Sequence, residues 1–240
     1  MSFDRILGQT QPKQTLKNAV QSNSVAHSYL FYGQESIGKK HTAIELAKTL
    51  NCSESGEGDA CDKCLSCRKI KKRTHPDFFF IEPVKSTPTS REATIKIEPI
   101  RELQRKLAFH PYEGKVKVAV INDAELMNPQ AANSFLKTLE EPPSATVLIL
   151  VSSNPFKLLP TLISRCQAIK FQPLTPENIK KILKETMTEG IIEENDLNFR
   201  TLRSRGSVKK AMKEDMADIA NIRQEIVGLL ETVSFDRMDI

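Results

Sequence analysis

Two hydrophobic rhythms alternate along the chain. Short apolar runs, rich in β-branched and aromatic residues, recur at SYLFY (28–32), DFFFIEP (77–83), KVAVIND (117–123), TVLILVSS (146–153) and AIKFQPL (168–174). Unbroken runs of this length suit strands buried on both faces of a parallel sheet. Between them the apolar positions step by three and four, as in TAIELAKTL (42–50) and at Ile97, Ile100, Leu103 and Leu107. That is the period of a helix with one buried face. NPQAANSFLKTLEE (128–141) carries its own punctuation: Asn128 as N-cap, Pro129 at the first helical position, and Pro142-Pro143 as the stop. Strand alternating with helix predicts an α/β fold with a mostly parallel five-stranded sheet.

After residue 174 the strand pattern ceases. Thr175 caps and Pro176 opens the helical LTPENIKKILKETM, and two or three short helices follow, up to Met212. Helical spacing continues through Ile219, Ile222, Ile226, Leu229 and Leu230. The expected organisation is an α/β domain over 1–174, a small helical domain over 175–214, and one more helix with a short tail over 215–240. No internal repeat and no low-complexity tract interrupts it.

With 240 residues the chain is long enough for one good core and a smaller second domain. Its net charge of +5 is a mild basic excess, suited to nucleic acid or an acidic partner without deciding between them. No apolar run approaches the roughly 20 residues of a membrane span. The opening MSFDRILGQTQ lacks the charged-then-apolar pattern of an export signal. A cytoplasmic protein with no membrane partner is expected.

The first chemical motif follows SYLFY, in GQESIGKK (33–40). A working phosphate loop cradles phosphates with backbone N–H groups, reaches them with a Lys, and holds Mg²⁺ with a Ser or Thr hydroxyl. Gly33, Gly38 and Lys39 stand in the first roles, with a strand before and a helix after. Lys40 stands where the metal ligand belongs, and its positive charge repels Mg²⁺. The bland alternative is a strand–turn–helix whose glycines serve only the turn. The second nucleotide element is the acid pair at the end of a later strand, which binds the metal and activates water. Here that pair is Asn122-Asp123. Both departures strike metal-dependent hydrolysis, so ATP binding is an open expectation and efficient ATP hydrolysis is not expected.

Four of the five cysteines, Cys52, Cys61, Cys64 and Cys67, follow the spacing C-x8-C-x2-C-x2-C. With no export signal, such a cluster reads as metal-binding before disulfide-bonded. Four thiolates suit a closed, structural Zn²⁺ site. An iron–sulfur cluster and free thiols are the competing uses. The basic run Arg68–Arg73 reads as a solvated helix face. Arg165, in LLPTLISRCQ (158–167), reads by itself as a cation facing a helix C-terminus. Cys166 reads as a small buried apolar residue. The histidines at 27, 41, 75 and 110 show no ligand spacing.

Taken together, the loop region ending in AKTLNC, the four-cysteine insertion, THPDFFFIEP, ANSFLKTLEEPPSATVLILVSSNP and LLPTLISRCQ resemble the clamp-loader family of bacterial DNA polymerase III. The resemblance spans roughly residues 3–212. It implies an AAA+ P-loop domain with a zinc-binding insertion and a helical lid. It also implies a third, helical collar domain, of which 215–240 holds only a start. In that family the motor subunits, gamma and tau, carry intact nucleotide motifs. The delta prime branch carries degraded ones together with the zinc module and Ser-Arg-Cys, and Lys40 and Asn122 resemble that branch. The resemblance implies that Arg165 is an arginine finger, reaching in trans the γ-phosphate of ATP on a neighbouring motor subunit. It places a first sensor at Ser152, Ser153 and Asn154, and puts Lys209 where motor subunits have Arg. The partners it implies are gamma/tau and delta subunits, the sliding clamp, and primed DNA through the assembled complex. Two other readings stay open: a gamma/tau-like subunit with weak ATP binding and hydrolysis through Gly33, Gly38 and Lys39, and a zinc-stabilised DNA-binding module without a nucleotide role.

Overall fold

The computed structural model describes residues 3–54, 56, 58–85, 93–186 and 194–213. These form two compact units, divided between Gln172 and Pro173.

In the first unit the chain runs through α1 (Thr10–Gln21), β1 (Ser28–Tyr32), α2 (Lys39–Asn51) and α3 (Leu65–Lys71). It continues through β2 (Phe78–Ile81), β3 (Val84–Lys85), β4 (Ala93–Thr94), α4 (Ile97–Leu107), β5 (Lys117–Ile121) and α5 (Pro129–Glu140). The unit closes with β6 (Thr146–Ser152), α6 (Pro160–Ile163) and β7 (Gln167–Lys170). β2, β5, β6, β1 and β7 lie in that order in one sheet, and every neighbouring pair is parallel. The expected five-stranded parallel sheet is therefore present. β5 and β6 are buried along their whole lengths, as unbroken apolar runs require.

The helices pack on the sheet through the faces that their spacing predicts. Ile100, Leu103 and Leu107 of α4 and Phe135 and Leu139 of α5 meet Leu30, Ala119, Ile121, Leu148 and Leu150 of the sheet. Asn128 caps α5 by accepting the Ala131 N–H at 2.8 Å, and Pro129 opens the helix. The buried Lys117 ammonium donates to the carbonyls of Leu107 and Phe109 and so closes the C-terminal end of α4. The antiparallel pair β3–β4 was not foreseen. Two-residue strands are too short to show a period.

The second unit contains α7 (Pro176–Thr186), α8 (Glu194–Arg203) and α9 (Val208–Lys213). Among its described residues Leu174, Ile179, Leu183, Leu197 and Ala211 are the buried apolar ones. The helix expected through Ile219–Leu230 lies outside the described residues. Among the described residues no helix is long and apolar enough to cross a membrane.

Candidate functional site

α2 joins two sites. Its N-terminus is the glycine loop, with Gly38 as N-cap, and its C-cap is Cys52.

At the C-terminal end the four cysteine sulfurs all lie within 4.8 Å of one another. Cys64 caps α3 while Cys67 lies in its first turn, so the helix itself sets two of the positions. None is disulfide-bonded. Cys52 Sγ and Cys64 Sγ stand 3.9 Å apart. A disulfide needs about 2.05 Å. A tetrahedral ion with Zn–S bonds of about 2.3 Å has S···S edges of roughly 3.8 Å. Backbone N–H groups point at the sulfurs: Cys64 to Cys61 Sγ at 3.2 Å, Lys63 to Cys61 Sγ at 3.4 Å, and Cys61 to Cys52 Sγ at 3.4 Å. Such donors favour thiolates. Burial opposes ionisation of Cys64, but the N–H groups of Cys67 and Ser53 bring its pKa down to about 6. Burial pushes Cys67 well up. The residues fit a tetrahedral metal with no open position.

A charge network fastens this cluster to the domain. The buried Lys48 of α2 pairs with Glu45 at 2.5 Å and with Asp62, inside the Cys61–Cys64 turn. Arg5 reaches the same Asp62 at 3.4 Å. The buried Asp59 accepts the N–H groups of Phe3 and Ala60. Asn51, one residue before Cys52, accepts from Val116 N at 3.1 Å and donates to Val116 O at 2.9 Å.

The N-terminal end of α2 is the glycine loop expected to cradle phosphate. Gly33 has φ +143°, and a Cβ there would meet the Phe171 carbonyl oxygen at 2.5 Å. Gln9, itself buried, braces the loop by donating to Ile37 O at 3.0 Å and Gln172 O at 2.6 Å. The loop's chemistry is turned inward. Lys39 is only 6% exposed and donates to the carbonyls of Gly33 at 2.6 Å and Gln34 at 2.5 Å. Burial lowers its pKa to about 8, against the pull of Glu125, Asp123 and Glu35. Lys40 pairs with Glu82 at 2.7 Å. Arg73 joins the same carboxylate at 2.8 Å and lies 3.9 Å from the centre of the Phe80 ring. Asn122, at the end of β5, donates to Asp123 at 2.8 Å. Burial and Glu125 raise the pKa of Asp123.

Glu125 is a site residue that the sequence reading missed. One of its oxygens accepts from Ser153 N at 2.8 Å, Ser153 Oγ at 2.5 Å and Asn154 N at 3.2 Å. It ties the strand end expected to be a sensor to the segment after Asn122-Asp123. A lone Glu four residues past the end of β5 carries no signal that could have shown this.

Arg165 lies elsewhere. It follows α6 and donates to Thr161 O at 2.9 Å, as a cation at a helix C-terminus does. Its other arm pairs with Glu140 at 2.5 Å, and the side chain is 34% exposed. It precedes the N-terminal end of β7, whereas the glycine loop follows the C-terminal end of β1. The two strands are parallel, with Tyr29 level with Gln167 and Tyr32 level with Lys170. That paired stretch alone spans roughly 10 Å. Arg165 and the loop of its own chain therefore sit at opposite ends of the sheet. The basic run after the cysteines is a solvated face as expected, with only Ile70 buried. Cys166 packs partly buried against the core, and burial pushes its pKa up to about 12.

Residues 8–175 match the family described as DNA polymerase III, delta subunit. The DNA polymerase III subunit delta′ of Bacillus subtilis is 36% identical over 181 residues, 75% of this chain and 53% of that protein. The delta′ subunit of Pseudomonas aeruginosa is 40% identical over 141 residues, 59% of this chain and 42% of that protein. The tau subunit of Escherichia coli is 30% identical over 213 residues, 88% of this chain and 32% of that protein. The chain thus spans about half the length of the delta′ relatives it matches. Two solved structures from Thermotoga maritima share the fold. A gamma subunit-related protein has TM-score 0.51 and 21% identity, over 83% of this chain and 56% of that one. The RuvB Holliday junction branch migration motor has TM-score 0.54 and 17% identity, over 88% and 62%. The fold is AAA+-like. The chain belongs to the DNA polymerase III, delta subunit family, and its likeness there is to delta′ subunits.

Proposed function

We propose that this chain is a non-motor subunit of a DNA polymerase III clamp loader. It helps load the sliding clamp onto primed DNA and works with gamma/tau and delta subunits in the cytoplasm. Residues 175–186 and 194–213 are its lid. One observation carries the non-motor part: both lysines of the glycine loop are bonded to the chain's own oxygens. Lys40 faces Glu82 in place of a metal-binding hydroxyl, and Asn122 offers an amide in place of a metal-bound carboxylate. A triphosphate without its cation would face Asp123, Glu125 and Glu35, the carboxylates that act on Lys39. These residues do not fit a magnesium–nucleotide complex. The cysteine cluster holds Zn²⁺ in a structural role.

In this reading Arg165 acts in trans. Its position at the opposite sheet end from its own loop supports an action on a neighbour, and its fork suits a γ-phosphate. It must leave Glu140 to do so, and a third-exposed ion pair is a weak tether.

The test is ATP turnover by the reconstituted loader with the unaltered chain, with Arg165→Ala, and by the chain alone. The chain alone is expected to be inactive. Arg165→Ala is expected to slow the site it faces by on the order of 10³-fold. Turnover by the chain alone, with no effect of Arg165→Ala in the complex, would instead establish the gamma/tau-like alternative.

A further inference from the structure

The cysteine cluster and the glycine loop, at opposite ends of α2, are joined a second time by the residues that precede α1. In that segment Phe3, Ile6 and Gln9 are buried, while Asp4 and Arg5 are exposed. Its first end sits on the cluster. The Phe3 N–H donates to Asp59 Oδ1 at 3.1 Å, inside the loop between Cys52 and Cys61. Arg5 reaches Asp62, next to Cys61, at 3.4 Å. Lys17 of α1 pairs with both sides, with Asp4 at 3.2 Å and Asp59 at 3.8 Å.

Its other end sits on the glycine loop. Ile6 lies beside Gly38, where a Cβ would meet its Cγ2 at 3.6 Å. Lys13 holds the Ile6 carbonyl at 2.8 Å. Gly8 at φ +69° and Gln9 at φ +55° turn the chain into α1. Gln9 then makes three hydrogen bonds. It donates to Ile37 O in the glycine loop and to Gln172 O, and it accepts from Gln172 N at 3.0 Å, just past β7.

We infer that residues 3–9 are a strap that couples the cysteine cluster to the glycine loop and to the end of β7. Ordering the strap costs about 1–2 kcal/mol per residue, and only its two ends and Ile6 offset that cost. Releasing one end therefore loosens the other. The Phe3 end depends on the cluster. Among its described residues, the loop between Cys52 and Cys61 has one isolated bridge, Gly56 to Asp59, so the sulfurs that close this loop hold Asp59 in place. Closing the cluster on its metal seats Phe3, and a seated Phe3 fixes Gln9. The rival route is α2 itself, since a helix can fray from Cys52 toward Gly38. Phe3→Ala separates the two, because it cuts the strap and leaves α2 untouched. The inference rests on the cluster holding a metal and is independent of Arg165.

The experiment is hydrogen–deuterium exchange of the full 240-residue chain, read by mass spectrometry. The chain is compared zinc-bound and after a chelator has removed the metal under reducing conditions, with metal analysis of each sample. The reporters are the Gly33 N–H, bonded to Ser152 O at 3.3 Å, and the Gln172 N–H, bonded to Gln9. Peptides from β5 and β6 report global opening. Metal removal is expected to speed exchange at both reporters as well as over 52–67, with β5 and β6 still protected. Phe3→Ala in the zinc-bound chain is expected to speed both reporters by on the order of tenfold with zinc content unchanged. Gln9→Ala is expected to speed exchange of the Phe3 N–H in return, because coupling is reciprocal. Lys115→Met is the control. It cuts a hydrogen bond of 3.0 Å to Cys52 O on the side away from the strap and is expected to leave both reporters unchanged. Exchange confined to 52–67 after metal removal overturns the strap. So do unchanged reporters in Phe3→Ala, an equal effect of Lys115→Met, and a chain that takes up no zinc. Should metal removal open β5 and β6 as well, Phe3→Ala and Lys115→Met in the zinc-bound chain decide the question by themselves.

Discussion

α2 is thirteen residues long, roughly 20 Å, and its two ends carry opposite kinds of site. The C-terminal end has a complete donor set: four sulfurs at metal-binding distance, N–H groups aimed at them, and charges locking their loop. The N-terminal end has a glycine turn whose two lysines are bonded to the protein's own oxygens. The contrast teaches that loop shape and loop chemistry are separable. Gly33 and Gly38 are required by the turn and the close approach to Phe171. Those demands hold whether or not a phosphate ever enters.

The contrast is sharpest if the metal is removed. Cys64→Ser is expected to abolish stoichiometric zinc and to lower the melting temperature more than any change below. Structural zinc contributes roughly 10–16 kcal/mol of apparent binding free energy in small domains. Metal analysis of the reduced protein, paired with calorimetry, checks this. A reduced chain without metal and with unchanged melting would erase the distinction between the two ends.

Next in size is the anchor beside the cluster. Asn51→Ala leaves the Val116 N–H and carbonyl without their partner and is expected to cost about 2–3 kcal/mol in urea unfolding. Nearby, Asp77 accepts the N–H groups of Tyr112, Glu113 and Gly114 at 2.7, 2.8 and 2.7 Å. Burial alone raises its pKa, but the three donors prevail and hold it below the ordinary 3.8. A depressed carboxylate adds stability that is complete above its unfolded value and lost as pH falls through the folded one. Asp77→Asn is therefore expected to flatten the acid limb of stability below pH about 4. Urea midpoints from pH 5 to 2 measure it, and an unchanged limb would remove the Asp77 contribution.

The loop end is expected to respond weakly. Lys39→Met removes two hydrogen bonds but also a buried ammonium, and at pH 7 its net effect is expected within about 1 kcal/mol. The sign with pH is defined. The folded pKa of about 8 lies below the ordinary 10.5, so the unfolded chain binds more protons between those values and stability rises with pH there. Lys39→Met should lose that rise, which denaturant midpoints at pH 7 and 9.5 will show. Lys40→Thr breaks a part-exposed ion pair and is expected to cost under about 1 kcal/mol. A large loss from either lysine would mean that the loop end, too, is held together by its charges.

Much of the fold was legible because its elements have periods. β5 and β6 carry unbroken apolar runs, 118–121 and 147–151, which had to be buried. α4 and α5 show the three- and four-residue steps of one-faced helices, and α5 carried its start and stop in Asn128, Pro129 and Pro142. The cysteine spacing was legible for the same local reason, since two of the four cysteines are placed by the first turn of α3. The partner of Lys40 was not. Glu82 lies 42 residues away, and nothing in either segment names the other. Gln9, bonded to Gln172 across 163 residues, was equally hidden.

The sequence by itself determined the kinds of groups available: four thiols at ligand spacing, two lysines after Gly38, an Asn-Asp pair after β5, and Arg165 at the end of its segment. These are local statements, and local chemistry suffices to make them. The tertiary structure decided where each group points. It turned Lys39 onto Gly33 and Gln34, gave Lys40 to Glu82, hung Ser153 and Asn154 on Glu125, and set Arg165 at the far end of a parallel sheet from its own loop. Those outcomes depend on strand order and on contacts between distant residues. They follow from closing the sheet and burying its faces, which no single stretch of sequence contains.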